Sequence, residues 1–213
     1  MKQLCTVQYL KILLFTALVV CSFFVPMSSQ TAKAEGVAWA GSANVFNEQF
    51  TYYPRNWTVG NGSWAYGSGF LRGYGMYDDS GEVWYRAGYT NFEYQVRMRR
   101  VGCADCSNSI KFRDIGSKSG YFGYTNSGYF YVMARFGSDW KVWRDWSRSS
   151  AISRGGFNVL RVSTAGNNYW FYINNRLVAY ILKSGLSSGV VGIEHYSQTP
   201  SGNFIDVDWA VLR

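Results

Sequence analysis

Tyrosine, tryptophan and arginine recur on the polar faces of the predicted strands, where their side chains could bind sugars. Sugar rings lay their apolar faces on Trp and Tyr rings, while Arg, Asn, Asp and Glu hydrogen-bond the hydroxyl groups. The candidate ligand-binding residues of this kind are Trp84, Arg86, Arg113, Tyr131, Arg135, Trp143, Glu194 and Tyr196. The alternative interpretation is that these aromatic side chains only pack across neighbouring strands and cover the sheet.

Catalytic residues are harder to find in this sequence. Glycoside hydrolysis needs two carboxylates, one on either side of the scissile bond, whereas the few acidic residues fall mostly in turns or singly in strands, as Glu93 and Glu194 do. The single histidine, His195, is predicted to point inward with Val191 and Ile193. No Ser-His-Asp or Cys-His arrangement can therefore be built, and binding is favoured over catalysis.

Residues 1–34 have the pattern of a cleaved secretory signal peptide. Lys2 and Lys11 precede an almost uninterrupted apolar run over residues 12–26, and Ala32-Lys33-Ala34 provides a small-residue cleavage site. The apolar run is shorter than the roughly 18–20 residues that a membrane-spanning helix needs. We therefore expect an exported protein, extracellular or periplasmic, with one domain over residues 35–213 and no transmembrane segment after cleavage.

Cys103 and Cys106 flank a predicted hairpin tip between two strand-like segments. In a tight turn the Cα atoms of residues i and i+3 lie close enough for a disulfide, and export favours its formation. A redox motif would need a helix N-terminus to lower the thiol pKa, and zinc would need two further ligands. A local disulfide is the preferred interpretation.

Composition and charge exclude several classes of protein. Hydrophobic residues make up 47% and aromatic residues 19% of the 213 residues, a composition that is too apolar for intrinsic disorder. The net charge is +8, and removal of residues 1–34 takes away three lysines and no acidic residue, which leaves +5. This charge is too small and too dispersed to indicate nucleic-acid binding.

From residue 36 onward the pattern is typical of short strands separated by Gly, Asn, Asp and Ser turns. Apolar residues alternate with polar ones over residues 92–99, 129–136 and 205–211, and Asn174-Asn175 is typical of a two-residue hairpin turn. Period-two alternation in many short strands predicts antiparallel sheets that each bury one face. The fold class is therefore all-β, a two-sheet sandwich.

Eight segments occur in the order and spacing of a known superfamily. They are residues 47–50, 56–58, 69–73, 91–96, 157–162, 171–178, 189–193 and 205–209. Together they resemble the concanavalin A-like lectins and glucanases, in the laminin-G-type form of the jelly roll. The resemblance covers residues 46–213 and implies a two-sheet antiparallel jelly-roll sandwich whose concave sheet would carry the candidate residues.

The resemblance also implies a calcium site and bounds the activity. Jelly rolls of this type often hold a structural Ca²⁺ where the first and last strands meet, which here would use Asp206 and Asp208 together with Glu48 or Asn47; no other cofactor is indicated. The Glu-x-Asp-x-x-Glu pattern of the superfamily's glucanases is missing from this sequence. The resemblance thus favours a non-catalytic polysaccharide- or glycan-binding domain, with a glycoside hydrolase or a protein-binding surface module as alternatives.

Overall fold

The computed structural model describes residues 44–52, 54–75, 78–198 and 202–213, and the regular structure there is β-sheet. None of the described residues belongs to a helix long and apolar enough to cross a membrane. The strands are β1 (Phe46–Glu48), β2 (Trp57–Asn61), β3 (Ser63–Gly67), β4 (Phe70–Gly75), β5 (Asp79–Tyr89), β6 (Phe92–Val101), β7 (Ser107–Asp114), β8 (Lys118–Tyr124), β9 (Tyr129–Phe136), β10 (Asp139–Arg148), β11 (Asn158–Ala165), β12 (Asn168–Ile173), β13 (Arg176–Leu182), β14 (Gly189–Ser197) and β15 (Asn203–Leu212).

The strands form two antiparallel sheets. One sheet has seven strands in the order β10-β9-β8-β7-β14-β5-β2. The other has eight strands in the order β13-β12-β11-β6-β15-β4-β3, and β1 pairs with the C-terminal part of β15. Strands that are distant in sequence lie side by side in both sheets, and this confirms the predicted two-sheet jelly-roll sandwich.

The core lies between the sheets and is unusually aromatic. On β6 the predicted inward face is confirmed, since the apolar residues from Phe92 to Met98 are at most 1% exposed. Phe171 of the eight-stranded sheet meets Phe122 and Phe112 of the seven-stranded sheet at ring-centroid distances of 5.1 and 5.7 Å. Burial of these rings supplies the main stabilising term for the sandwich.

The hairpin turn and the disulfide follow the sequence prediction. Asn174 and Asn175 connect β12 to β13 with φ angles of 48° and 64°, and a two-residue turn with both φ angles positive matches the twist of the flanking strands. Cys103 and Cys106 are disulfide-bonded in the loop that joins β6 to β7.

The alternation over residues 205–211 predicts that Trp209 and Val211 face the core with Ile205 and Val207, and for Trp209 and Val211 this prediction is wrong. Ile205 and Val207 are buried as expected, but a register shift against β6 lies between Val207 and Trp209. A β-bulge inserts one residue and inverts the alternation beyond it. As a result Ala210 enters the core, together with Leu212, while Trp209 and Val211 become partly exposed.

Candidate functional site

A shallow groove of about 350 Å³ lies on the outer face of the seven-stranded sheet. Six of the seven strands contribute to it. The lining residues are Ser80, Ser107, Tyr121, Tyr131, Met133, Trp140, Trp146, Glu194 and Tyr196. The groove is therefore built by strand pairing across the sheet and not by one local stretch of sequence.

Strand register places the polar residues of the groove in rows. Glu194 of β14 lies opposite Glu82 of β5 on one side and opposite Ser109 of β7 on the other. The same row continues through Gly123 of β8 to Tyr131 of β9. Directly opposite residues of antiparallel strands have Cβ atoms about 4.5–5.5 Å apart, so a carboxyl group and a tyrosine share this row with small residues between them.

Two tryptophans of the edge strand β10 form the aromatic part of the groove. Trp140 is 54% exposed and lies 5.1 Å from the ring of Tyr121, and Trp146 is 44% exposed and lies 4.5 Å from the ring of Tyr131. Both rings line the same groove, and exposed apolar groups that cluster in this way often mark an interaction site. Each tryptophan is held by a tyrosine while part of its surface stays open to solvent.

A glycine allows Tyr131 to lie across the neighbouring strand. A Cβ atom built on Gly123 would come within 2.6 Å of the Tyr131 ring, a distance that real Cβ atoms do not reach. Packing therefore explains why position 123 is a glycine, independently of its φ angle, because the Tyr131 ring lies directly on the Gly123 backbone.

Glu194 is the electrostatically unusual residue of the groove. Burial raises its pKa to about 7, the nearby Glu82 carboxylate acts in the same direction, and Lys111 and Arg135 act against them. Near neutral pH the protonated and the ionised forms of the Glu194 carboxyl group are therefore both populated. In the protonated form it can donate as well as accept a hydrogen bond, and a sugar hydroxyl can pair with either.

The second carboxylate of this row is already paired. Lys111 Nζ lies 2.6 Å from Glu82 Oε2 and 3.1 Å from Asp114 Oδ2. Burial lowers the pKa of Lys111, but its interactions with Tyr121 and the two carboxylates outweigh this effect and raise the pKa. Lys111 therefore stays charged and pairs with both Glu82 and Asp114.

Comparisons with known proteins connect the fold to solved structures and to no sequence family. No family model and no curated protein matches the chain. The carbohydrate-binding module CBM66 from Bacillus subtilis aligns with a TM-score of 0.59 at 17% identity, over 71% of this chain and 91% of that one. The Bacillus licheniformis β-glucanase gives 0.64 at 11% identity, over 81% and 98%. A prokaryotic β-1,3-1,4-glucanase (lichenase) derived from a mouse hindgut metagenome gives 0.63 at 14%, over 78% and 97%.

The fold is a concanavalin A-like jelly roll. The resemblance found in the sequence is thus confirmed at the level of fold, and identities this low show the fold alone. This jelly roll carries its groove on the seven-stranded sheet.

Three of the residues predicted to bind a ligand meet in the groove. Tyr131, Glu194 and Tyr196 line it. Arg135, two residues beyond Met133 on β9, is close enough to influence the pKa of Glu194, and its Nη2 donates to the carbonyl of Gly116 at 2.5 Å. The residues that were predicted from strict alternation along β9 and β14 therefore lie on one contiguous surface.

Trp84 and Arg86 lie on β5, the strand that also provides Ser80, but they are not among the residues that line the groove. The ring of Trp84 covers the backbone of Gly60, where an added Cβ would meet it at 1.9 Å. Arg86 Nε donates to Thr58 Oγ1 at 2.8 Å. Both side chains contact β2, and their role in ligand binding stays a prediction.

The prediction that Arg113 lies on the polar face is wrong. A register shift between β7 and β14 changes the alternation there, and Arg113 is 1% exposed. Its guanidinium donates to the carbonyls of Thr90, Gly166 and Leu186 and to the hydroxyl of Tyr169, all at 3.0 Å or less. Arg113 ties three connecting segments to the core and does not reach the groove.

The same physical cause moves Trp143 away from the solvent face. The register of β10 against β9 shifts between Val142 and Arg144, so Trp143 is the additional residue of a bulge. Its ring packs against the core, 5.1 Å from Tyr169 and 6.4 Å from Phe112. The prediction that Trp143 binds a ligand assumed that its ring is exposed on the polar face, and this assumption is wrong.

Sequence reasoning missed the two tryptophans that do line the groove. Trp140 and Trp146 stand three residues on either side of Trp143, and a spacing of three has no consistent side in a regular strand. The only available signal was the accompanying Lys, Arg and Asp residues, which indicate a strand with little buried surface. Tyr121 of the groove was missed as well, although it alternates with the buried Phe122, and so was Glu82, the cross-strand partner of Glu194.

The aspartates predicted to bind calcium are engaged by arginines. Asp206 is fully buried on the outer face of the eight-stranded sheet, where Arg72 and Arg99 approach its carboxylate at 2.6 and 3.0 Å. Asp208 is paired with Arg97. A cation would meet two guanidinium groups here, so these residues do not fit Ca²⁺.

Glu48 does not complete a calcium site either. The predicted pairing of the first and last strands is confirmed, with Glu48 opposite Ala210. However, Glu48 Oε1 accepts a hydrogen bond from the backbone N–H of Phe50 at 2.9 Å. Across the described ranges, no group of three or more His, Cys, Asp or Glu side chains is arranged to hold a metal ion.

We expect Asp206→Ala to destabilise the protein because it leaves Arg72 and Arg99 without their shared carboxylate. The arginines are about one-third exposed, so we expect a loss of about 1–3 kcal/mol in the free energy of unfolding. Urea denaturation measures it, with the exposed Asp139→Ala as control. Calcium and EDTA should leave both midpoints unchanged, and a calcium-dependent midpoint that Asp206→Ala abolishes would overturn the assignment.

We expect Glu194→Gln to remove a pH dependence of stability. The folded state raises the pKa of Glu194 from 4.5 to about 7, so it binds more protons than the unfolded chain between these values, and stability falls as the pH rises through them. The variant should gain on the order of 2 kcal/mol at pH 8 and almost nothing at pH 4.5. Urea denaturation at both pH values tests this; an equal effect at both would contradict it.

Proposed function

We propose that this protein is an exported, non-catalytic glycan-binding domain that uses the groove of its seven-stranded sheet. The pattern of residues 1–34 and the Cys103–Cys106 disulfide support export. The structural neighbours support a carbohydrate ligand, since they are named as a carbohydrate-binding module, a β-glucanase and a lichenase. The small net charge of the domain gives no reason to expect nucleic acid.

The observation that carries the proposal is the pair of exposed tryptophans in the groove. Trp140 and Trp146 present ring surface to solvent from the edge strand β10, and a tyrosine ring packs against each of them. Aromatic rings that are fixed before binding lose little conformational entropy when a sugar stacks on them. A groove lined by aromatic rings with a few polar groups is the usual composition of a small-molecule binding site.

Polar groups at the base of the groove can satisfy the hydroxyl groups of a sugar. Glu194, Ser107 and Ser80 all line it, and the hydroxyl of Tyr196 donates to Asp78. Because Glu194 titrates near pH 7, it can serve as donor or acceptor. The shallow shape buries little area, so we expect modest affinity for a single sugar.

We expect Trp146→Ala to weaken glycan binding at least tenfold, because removal of an aromatic anchor costs about 2 kcal/mol and a factor of ten corresponds to about 1.4 kcal/mol. A glycan array screened with residues 35–213 identifies the ligand, and calorimetry measures the affinity. Tyr180→Ala is the matched control, since Tyr180 is 47% exposed on the other sheet and contacts another aromatic ring, Trp170.

Both variants should keep the thermal midpoint of the parent protein to within a few degrees. A large loss of stability in Trp146→Ala alone would show that this ring belongs to the core. If the parent protein binds no glycan on the array, the proposed function is wrong and a protein-binding surface becomes the leading hypothesis.

One observation favours a glycoside hydrolase as the second candidate. Glu82 and Glu194 are direct cross-strand partners, and retaining glycosidases hold two carboxyl groups about 5–5.5 Å apart, one of them with a raised pKa. Against this, Glu82 is held by Lys111 at 2.6 Å and is not among the residues that line the groove. A carboxylate neutralised in this way is a poor nucleophile.

Incubation with soluble polysaccharides, followed by an assay for new reducing ends, separates the two candidates. For a binding domain we expect no product, and Glu82→Gln should leave glycan affinity nearly unchanged. Product formation that is lost in both Glu82→Gln and Glu194→Gln would establish catalysis and overturn the non-catalytic proposal.

A further inference from the structure

A second hollow continues the groove at one end of the seven-stranded sheet. It also measures about 350 Å³ and shares Trp146 with the groove. The remaining residues that line it are Asp105, Thr125, Ser127, Tyr129 and Gln198. Apart from the two aromatic rings, every side chain in this hollow is a hydroxyl, an amide or a carboxylate, which are the groups that hydrogen-bond sugar hydroxyls.

Strand geometry shows that the two hollows form one continuous surface. Three residues of the groove each have a residue of the second hollow two positions away in the sequence, on the same strand or on the chain directly next to it. The pairs are Tyr131 and Tyr129, Ser107 and Asp105, and Tyr196 and Gln198. Residues i and i+2 of a strand lie on the same face about 7 Å apart; Tyr129 is on β9, Gln198 directly follows β14, and Asp105 lies in the disulfide loop that leads into β7. Because adjacent strands are antiparallel, all three steps run toward the same end of the sheet.

The disulfide loop forms one wall of the second hollow and is fixed on both sides. The backbone N–H of Ser127 donates to the carbonyl of Ala104 at 3.0 Å, and the N–H of Gln198 donates to Cys106 Sγ at 3.3 Å. Cys106 is fully buried. The loop therefore connects the β8–β9 turn to the end of β14, and the disulfide restricts how far this wall can move.

We propose that the second hollow is a further sugar subsite, so that the ligand is an oligosaccharide chain and not a single sugar. This inference rests on the proposed function. Trp146 stands between the hollows and contacts sugars on both sides of the boundary. Neighbouring sugars of an extended chain occupy the groove and the second hollow, and the disulfide loop determines affinity for the longer chain.

Affinity as a function of chain length tests the subsite. The probes are mono- to hexasaccharide ladders of β-1,3-, β-1,4- and mixed-linkage β-1,3-1,4-glucans on the array, followed by calorimetry with the ladder that binds. If none of these binds, ladders of the glycan that the general array identifies replace them. We expect the hexasaccharide to bind at least tenfold more tightly than the disaccharide.

Variants of the second hollow should act on long ligands selectively. Each of Asp105→Ala and Gln198→Ala should lower the affinity for the hexasaccharide about threefold to tenfold more than that for the disaccharide, and so should Cys103→Ser combined with Cys106→Ser. Asn167→Ala, in an exposed turn of the other sheet, is the control and should change neither affinity.

The possible failures are distinguishable. Equal affinity for short and long ligands, or equal losses for both in the three variants, would overturn the second subsite and leave the glycan-binding groove intact. Absence of binding to every glycan would overturn the proposed function and this inference together.

Discussion

Side-chain alternation along paired strands is the constraint on which both the core and the groove depend. Glu194 stands between Ile193 and His195, which are at most 2% exposed, and Tyr131 stands between the buried Phe130 and Val132. Each groove residue is therefore held in place by core residues one position away. A core substitution that shifts a strand would move the groove with it, whereas a groove substitution leaves the interior packing largely unchanged.

His195 shows how firmly this alternation is imposed. It is buried against the ring of Trp64 at 5.2 Å, where a Cβ on Gly81 would come within 2.3 Å of it. Burial and the nearby Arg100 lower its pKa to about 3, so it is neutral at physiological pH. The sequence prediction that the only histidine points inward is confirmed, and its side chain lies on the opposite side of the strand from Glu194.

The sequence alone was sufficient to predict which side chains face the core wherever the alternation along a strand was regular. It predicted the inward faces of β6 and β9, the Asn174-Asn175 turn and the disulfide, since each depends on residues that are close in sequence. It failed at bulges, because one inserted residue exchanges the two faces and leaves no local mark. Arg113, Trp143 and Trp209 were all assigned to the wrong face for this reason. The opposition of Glu82 and Glu194 depends on register between distant strands, which no local pattern encodes.

The two outer faces of the sandwich differ in how many of their charged side chains are engaged in ion pairs and cation–π contacts. This difference favours the seven-stranded sheet as the ligand-binding face. On the eight-stranded sheet Arg72 pairs with Asp206 and also covers the ring of Phe204 at 3.8 Å, and Arg161 covers Tyr172 at the same distance. A ligand there would have to displace ion pairs and cation–π contacts before it could form its own.

On the seven-stranded sheet the two tryptophans of the groove contact tyrosine rings, and part of their surface stays available. Trp146 rests on Tyr131 with its ring tilted by 55°, and 44% of the residue stays exposed. A sugar that stacked on Trp146 would displace water from an apolar ring that takes part in no ion pair. The desolvation cost of binding would therefore be smaller on this face than on the eight-stranded sheet, and more of the stacking free energy would contribute to affinity.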